Sequence, residues 1–491
     1  MRSHSVLRLV NRIFLRWWNK RKLILPKDDE EEVSLEKIAI LHTNDLHSHF
    51  ENWPRIKRYL ISEKQKLEKA GYFVITVDLG DALDRADPLT DATDGKANVE
   101  LLNEIGYDAA TIGNNEGLTN SKDQLNHLYD AANFDVVLGN IVDSDTKKRP
   151  DWAHETKMIN TPGGNHIKIY GLTAPYQSTY TLEGWTPIDD QEKIPELLDN
   201  DNDDEVLVLL SHLGVTQDRL IAKKFPRFDV IIGSHTHHLF EHGERDNQSL
   251  LAAAGKYGYY VGKVTLEVDD DHVINSEASV VKTSDLPVEP EDSKWLDALE
   301  KRGQDILAQS KVAKLDEKMD NGLRGKPRMV SEFLSAMKEK AGTKAAIVNN
   351  GLFLHALPKG IVDKNQLHQI LPHSMHVTKT TLSGSDLWRM VMEMQKNWKF
   401  LIAYEQKGMG FRGKYFGQLN YDGIDVDDQN NVYFDGKLID FNQTYEIALL
   451  DHYIFIPFFP TVAIKGDNNI LYDQTLREVF ASYLSKKYPL E

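Results

Sequence analysis

KIAILHTNDLHSH, Lys37 to His49, opens as an apolar, β-branched run and closes on a polar cluster in which Asp45 and His47 stand as D-x-H. A short apolar run bounded by polar residues reads as a buried strand, and coordinating side chains at its carboxyl end read as a ligand site. The same grammar recurs along the first half of the chain. YFVITVDLGD ends on Gly80 and Asp81, YDAATIGNN on Asn114 and Asn115, EVLVLLSHLG carries His212, and FDVIIGSHTHH carries His235 and His237. FDVVLGN and HIKIYGLTA add further strand-like runs, while RIKRYLISEKQKLEKAG and SKDQLNHLYDAAN show helical periodicity. Strands alternating with helices, with the chemistry gathered at strand ends, predict a layered α/β domain.

The chain has 491 residues, too many for one ordinary core, so at least two domains are expected. The spacing of motifs suggests a basic extension and acidic linker over 1–35, the layered domain over 36–288, a connector helix and loop over 289–325, and a smaller α+β domain over 326–491. Within the extension, VLRLVNRIFLRWWNKRK interleaves arginines with apolar residues and is followed by KDDEEE. That pattern reads either as a solvated extension or as a helix in weak contact with an anionic membrane surface, and it lacks the unbroken apolar core of an export signal. A cytoplasmic location, at or near the membrane surface, is the expectation. In the connector, KLDEKMDNGLRGKP reads as a loop.

A net charge of −17 argues against binding a nucleic-acid backbone. With no cysteine, thiolate chemistry and cysteine-based metal sites are excluded, so a metal must rest on His, Asp, Glu, Asn or backbone. Singly, a strand-end Asp is usually a turn residue and a lone His usually a satisfied surface or core residue. As a set, Asp45, His47, Asp81, Asn114, His212, His235 and His237 suit two divalent cations about 4 Å apart that clamp the oxygens of a phosphoryl displacement. The mixed oxygen and imidazole donors accept Mn, Zn, Mg or Co without choosing among them.

Taken in order, TNDLHSH, DLGD, GNNE, SHLG, GSHTHH and AGKYGYYVG resemble the sequence blocks of the calcineurin-like metallophosphoesterases. The whole chain after its extension resembles, more narrowly, the two-domain 5'-nucleotidase family. That resemblance implies a metallophosphoesterase domain followed by a smaller α+β nucleotide-binding domain. It implies one metal on Asp45, His47 and His237, a second on Asn114, His212 and His235, a bridging Asp81, and an attacking hydroxide. The implied activity is release of phosphate from a nucleotide or similar small phosphorylated compound. A catalytically weak regulatory protein on the same cradle, or a hydrolase of cyclic or pyrophosphate diesters, are the alternatives.

Two departures from the family stand out. Its motif runs Gly-Asn-His-Glu, with an aspartate slightly downstream, whereas this chain has Asn115 and Leu118 at those places. An amide donates a hydrogen bond to a phosphoryl oxygen but neither carries charge nor moves a proton. Asn115 is therefore expected to act in the site as a neutral donor. In the second domain, NNGLFLHALPKG puts Leu354 where an arginine is expected, and YFGQLNYDGI and LLDHYIFIPFFP place Phe416 and Tyr453 where the family stacks a base. These rings read either as a stacking pair or as core aromatics.

Overall fold

The computed structural model describes residues 35–199, 205–408 and 410–491, and the expected basic extension lies outside them. The strand Glu36–Thr43 decides the architecture. Its alternate side chains separate: Ile38 and Ile40 enter one core, Ala39 and Leu41 another. That period of two is what a strand covered on both faces produces. It pairs in parallel with Tyr72–Asp78, which continues to Ala109–Ala110 and Asp135–Val137, and antiparallel with Tyr260–Asp269. A second sheet is built around Val206–His212, flanked in parallel by His166–Thr173 and Val230–Gly233.

The two sheets lie face to face. Ile38, Ile40, Ile75 and Val77 of the first meet Ile169, Val206, Val208 and Ile232 of the second in a dry core. Helices cover the outer faces. Trp53–Lys69 buries Trp53, Ile56, Leu60 and Leu67 along one stripe against the first sheet, with Pro54 in its first turn. Val215–Lys224 covers the second sheet through Ile221 and Ala222. Parallel register brings Thr43 level with Asp78, Asp78 with Ala110, and Ser211 with Gly233, so the loops that follow these strands emerge at one edge. Asn44 locks the sheets together there, donating to the Gly233 carbonyl at 2.8 Å.

The connector helix Glu291–Gln309 runs against the short helix Pro88–Ala92, close enough that a Cβ at Gly303 would lie 2.3 Å from the Leu89 nitrogen. The loop expected after it begins later than the sequence suggests. Lys311–Leu315 forms a strand paired with Gly360–Asp363, so the second domain starts near 311 rather than 326. That domain holds a five-stranded sheet in the order Leu419–Asp422, Ala345–Asn349, Thr444–Leu450, His376–Ser383 and Asp467–Thr475. Helices Arg328–Ala341, Gly384–Leu401 and Leu476–Lys487 pack on it. A three-stranded meander over Ile424–Val426, Val432–Phe434 and Lys437–Leu438 completes an α+β unit.

A buried ion cluster joins the two domains. Arg477, in the last helix, donates to Asp91 Oδ1 at 2.6 Å and to the Arg85 carbonyl at 3.0 Å, while Arg85 bonds Asp91 and Asp94 at 3.0 Å each. Burial alone would raise the Asp91 pKa, but the Arg477 and Arg85 guanidiniums outweigh it and hold the carboxyl well below the usual range. Because the folded-state pKa is depressed, this stabilisation is present above the unfolded value of about 4 and is lost as the pH falls below it. Arg477→Ala breaks a buried pair and is expected to cost about 3 kcal/mol or more at pH 7. The penalty should shrink towards pH 3, and thermal unfolding of both proteins across that range checks it. Equal melting temperatures at pH 7 would show that the cluster is not a fastening.

Candidate metal centre

The ligand-bearing loops turn sharply as they leave their strands. Asp45, His47, Asp81, His235 and His237 all have positive φ, between 45° and 71°. Non-glycine residues in that region cost of order 1–3 kcal/mol each and persist only where the surroundings over-determine them. Here the surroundings are hydrogen bonds between loops. Asp45 N–H donates to the Gly80 carbonyl at 3.3 Å, His47 N–H to the Asp81 carbonyl at 2.8 Å, and Tyr257 N–H to the Asp45 carbonyl at 2.8 Å.

The side chains converge as two groups of potential ligands, Asp45 with His47 and His237, and Asp81 with His212 and His235, each drawn within 4.8 Å. The groups touch. His47 Nε2 is 3.3 Å from His237 Nε2, 3.9 Å from Asp45 Oδ1 and 3.7 Å from Asp81 Oδ2, and His212 Nε2 lies 3.4 Å from the same Asp81 oxygen. Asp81 is thus within reach of both groups. The fit to divalent ions can be tested on the polar atoms. His212 Nε2 and Asn114 Oδ1 are buried and find no hydrogen-bond partner among the described residues. Both are donors to a cation, and both belong to the expected second ligand set, so the residues present fit the group.

Electrostatics agree with that fit. Burial pushes the His47 pKa down and those of His235 and His237 down to about 4, leaving neutral imidazoles with a free lone pair. His212 differs: burial would lower it, but the charges of Asp81 and Asp45 raise it to about 10. Asp81 is correspondingly held below the ordinary carboxylate range by His212 and His47, against the effect of its burial. A cation entering at Asp81 and His212 therefore displaces a proton.

Glu116 organises this edge, a role the sequence reading missed. Its buried carboxylate accepts from the N–H groups of Asp81, Ala82 and Gly113 at 2.8 Å and of Leu83 at 3.2 Å. It binds the DLGD turn to the start of the helix Asn114–Thr119. The signal was present, an acidic residue three positions after the residue that precedes the helix, which is where a side chain reaches back to a cap.

Asn115 departs from its expected orientation. Its side-chain nitrogen donates to the Leu83 carbonyl at 2.8 Å and lies 3.0 Å from His47 Nδ1, its Oδ1 faces the Asn114 amide at 3.2 Å, and its backbone N–H donates to Asp81 Oδ1 at 2.7 Å. The amide hydrogens are directed to protein atoms, so Asn115 braces Asp81, His47 and Asn114 instead of presenting a donor to a phosphoryl group. Leu118 packs against the apolar cluster beside the first sheet. Near the centre, Tyr176 OH lies 3.0 Å from His235 Nε2, and Tyr257 sets its ring edge-on to His47, with 5.6 Å between centroids.

The second domain brings a further correction. Phe416 and Tyr453 are both 0% exposed, 6.0 Å apart between centroids, and Tyr453 OH donates to Asn349 Oδ1 at 2.9 Å. Neither offers a free face to a base, so they are core aromatics in this conformation. The extra apolar residues of IFIPFFP account for this, since Phe459 packs against both rings at 6.1 and 5.3 Å.

A face-to-face pair of sheets with two groups of potential metal ligands at the strand ends suits a metal-dependent phosphoesterase. The family profile for calcineurin-like phosphoesterases matches residues 38–239, and that for the 5'-nucleotidase C-terminal domain matches residues 311–455. The chain is 35% identical over 464 residues to the uncharacterized metallophosphoesterase YunD of Bacillus subtilis, covering 92% of this chain and all of that protein. It is 22% identical over 427 residues to a 5'-nucleotidase of Vibrio cholerae, covering 74% of this chain and 76% of that one. The NAD nucleotidase of Haemophilus influenzae shares the fold, with a TM-score of 0.62 at 15% identity over 92% of this chain and 97% of its own. The chain belongs to the calcineurin-like metallophosphoesterases that carry a 5'-nucleotidase-type second domain. It is a metal-dependent phosphoester hydrolase.

The contacts separate two variants. Asp81→Ala removes the carboxylate that lies within reach of both ligand groups, and its metal content at saturating Mn²⁺ should fall with little change in unfolding temperature. Glu116→Gln leaves every ligand in place but turns one of the two accepting oxygens into a donor and so unsatisfies two of the four backbone N–H groups, so it should destabilise by at least about 2 kcal/mol and also weaken metal uptake. Calorimetric Mn²⁺ titrations with thermal unfolding distinguish the two patterns. Full metal retention by Asp81→Ala would remove its shared role, and wild-type stability in Glu116→Gln would remove the clasp.

Proposed function

We propose that the protein releases phosphate from a nucleotide or similar small phosphorylated compound, using two divalent cations held by Asp45, His47 and His237 and by Asn114, His212 and His235, with Asp81 shared. The observation that carries this reading is the contact between the two ligand groups, in which one Asp81 oxygen lies 3.7 Å from His47 and 3.4 Å from His212. Paired divalent ions, when bound, neutralise phosphoryl charge and make solvent a better nucleophile. The 5'-nucleotidase-type second domain supports a nucleotide as the phosphate carrier.

The chain's own residues hold and orient. Ser234 Oγ donates to Asp45 Oδ2 at 2.5 Å and Asn115 N–H to Asp81 Oδ1 at 2.7 Å, which keeps each carboxylate turned towards the imidazoles. Next to His47 a cavity of about 340 Å³ opens between the domains, lined also by His49, Asp84, Asp87 and Arg412, and gives a small ester room to reach the centre. Since Asn115 is bound into the scaffold and cannot carry a proton, the leaving group receives no help at that place.

Aryl phosphates, whose leaving group needs no proton, should therefore be turned over faster than nucleoside monophosphates. Loss of one preorganised donor costs roughly 10² to 10³ in rate, so a gap of that order is expected. Phosphate release from mono-, di- and cyclic nucleotides and p-nitrophenyl phosphate, with Mn²⁺, Mg²⁺, Zn²⁺ or Co²⁺, tests the reading. Two bound ions with no turnover of any ester would favour a regulatory protein instead.

A further inference from the structure

The turn AGKYG leads from the strand Ser249–Ala252 into the strand Tyr260–Asp269 and passes beside the metal centre. It is pinned there. Tyr257 takes a φ of 60°, a region that a tyrosine keeps only where its surroundings hold it. Its N–H donates to the Asp45 carbonyl at 2.8 Å, and its carbonyl accepts from Asn52 Nδ2 at 3.0 Å. Gly258 lies so close to the helix Trp53–Lys69 that a Cβ there would come within 2.5 Å of Ile56 Cδ1. The Tyr257 ring therefore stands among the imidazoles, 5.6 Å from His47, 6.3 Å from His237 and 3.8 Å from His49 between centroids. Lys256 rests on the same ring, its Nζ 4.4 Å from the centroid.

Burial lowers the pKa of the two imidazoles in the first ligand group, and a basic side chain adds to the effect at each: Arg412 at His47 and Lys256 at His237. The two cations are held differently. Arg412 is paired with Asp84. Lys256 has no carboxylate partner among the described residues, and only the face of a phenol ring holds its ammonium. In a chain with 75 acidic residues and a net charge of −17, a lysine that pairs with none of them stands out. Beside a cation site its charge opposes metal uptake, and it becomes favourable once an anion is bound there. Asn115, across the same centre, carries no charge and directs its amide hydrogens to Leu83 and His47.

We propose that Lys256 is a catalytic residue of this hydrolase: its ammonium leaves the Tyr257 ring and donates a hydrogen bond to an oxygen of the phosphoryl group at the metal centre, supplying the positive charge that Asn115 lacks. A cation on an aromatic face is held more weakly than one hydrogen-bonded to a phosphate oxygen, so the exchange is favourable when the anion arrives. Arg412 would first have to give up a carboxylate; Lys256 gives up only a ring. No proton changes hands. The ammonium stays charged throughout, and its bond strengthens as negative charge develops on the oxygen it holds. Lys256 belongs to neither ligand group, so its role is separable from metal binding, although the proposal rests on the metal centre described above.

Lys256→Met removes the charge and leaves a thioether that still packs on the Tyr257 ring. Calorimetric titration of Mn²⁺ into the full chain, followed by inorganic phosphate into the Mn²⁺-loaded protein, reads the two consequences apart. Loss of a like charge should tighten Mn²⁺ binding about twofold or more. Phosphate, in contrast, should bind at least about tenfold more weakly, the loss expected for a charge-assisted hydrogen bond. Lys256→Arg keeps the charge and should hold phosphate within about threefold of wild type. The kcat for p-nitrophenyl phosphate with Mn²⁺ should fall in Lys256→Met and recover in Lys256→Arg. Unchanged phosphate affinity in Lys256→Met overturns the proposal. So does a joint loss of phosphate and Mn²⁺ affinity, which would mark a residue that merely shapes the turn. If thermal unfolding shows that Lys256→Met does not fold, Lys256→Gln decides by the same titrations. A wild-type chain that takes up no Mn²⁺ sinks the metal-centre reading, and Lys256 with it, whereas failure of the variants alone leaves that reading standing.

Discussion

The candidate metal centre hangs on a carboxylate that holds backbone and belongs to neither ligand group. Glu116 gathers four backbone N–H groups from two loops that follow different strands, and in doing so fixes the turn carrying Asp81 and the helix start carrying Asn114 and Asn115. The N–H groups of Asp81, Leu83 and Gly113 are buried, so without an acceptor each would cost a desolvation penalty of about 1–3 kcal/mol. Burial and the neighbouring Asp81 push the Glu116 pKa up, while the backbone donors favour its charged form.

A rigid edge is needed because the ligand loops are intrinsically unfavourable. Left-handed backbone at Asp45, His47, Asp81, His235 and His237 would relax if the loops were free. They are not free, because each is anchored in a strand whose inward side chains are clamped between the two sheets, and the sheets are pinned at that edge by Asn44 on Gly233. Apolar packing far from the site thus sustains strain within it. The same clamping brings Asp81 Oδ2 to 3.4 Å from His212 Nε2 and leaves Asn114 Oδ1 without a hydrogen-bond partner among the described residues, an arrangement that fits a cation.

The second domain follows another logic. Its attachment is electrostatic, through Arg477, Asp91 and Arg85 in one buried cluster and through Arg412 on Asp84 nearer the metal centre. The first contact is deeply buried, the second sits on the wall of an open cavity. Only the second is placed where an incoming anion could compete for the guanidinium.

Much of the metal centre was legible in the sequence, because a strand that must be buried on both faces has a recognisable apolar run, and a ligand at its end has few positions to occupy. Asp45, His47, Asp81, Asn114, His212, His235 and His237 could therefore be read in order before any contact was known. The absence of cysteine likewise restricted the donors to oxygen and imidazole. What the sequence could not decide was direction and burial. Asn115 stands in the expected place, yet its amide turns to Leu83 and His47 because a carbonyl 32 residues away in the chain lies within 2.8 Å. Phe416 and Tyr453 occupy the stacking positions, yet Phe459 closes over them. Side-chain orientation is settled by neighbours brought together from distant parts of the chain, and periodicity, which reports only which residues share a face, carries no information about them.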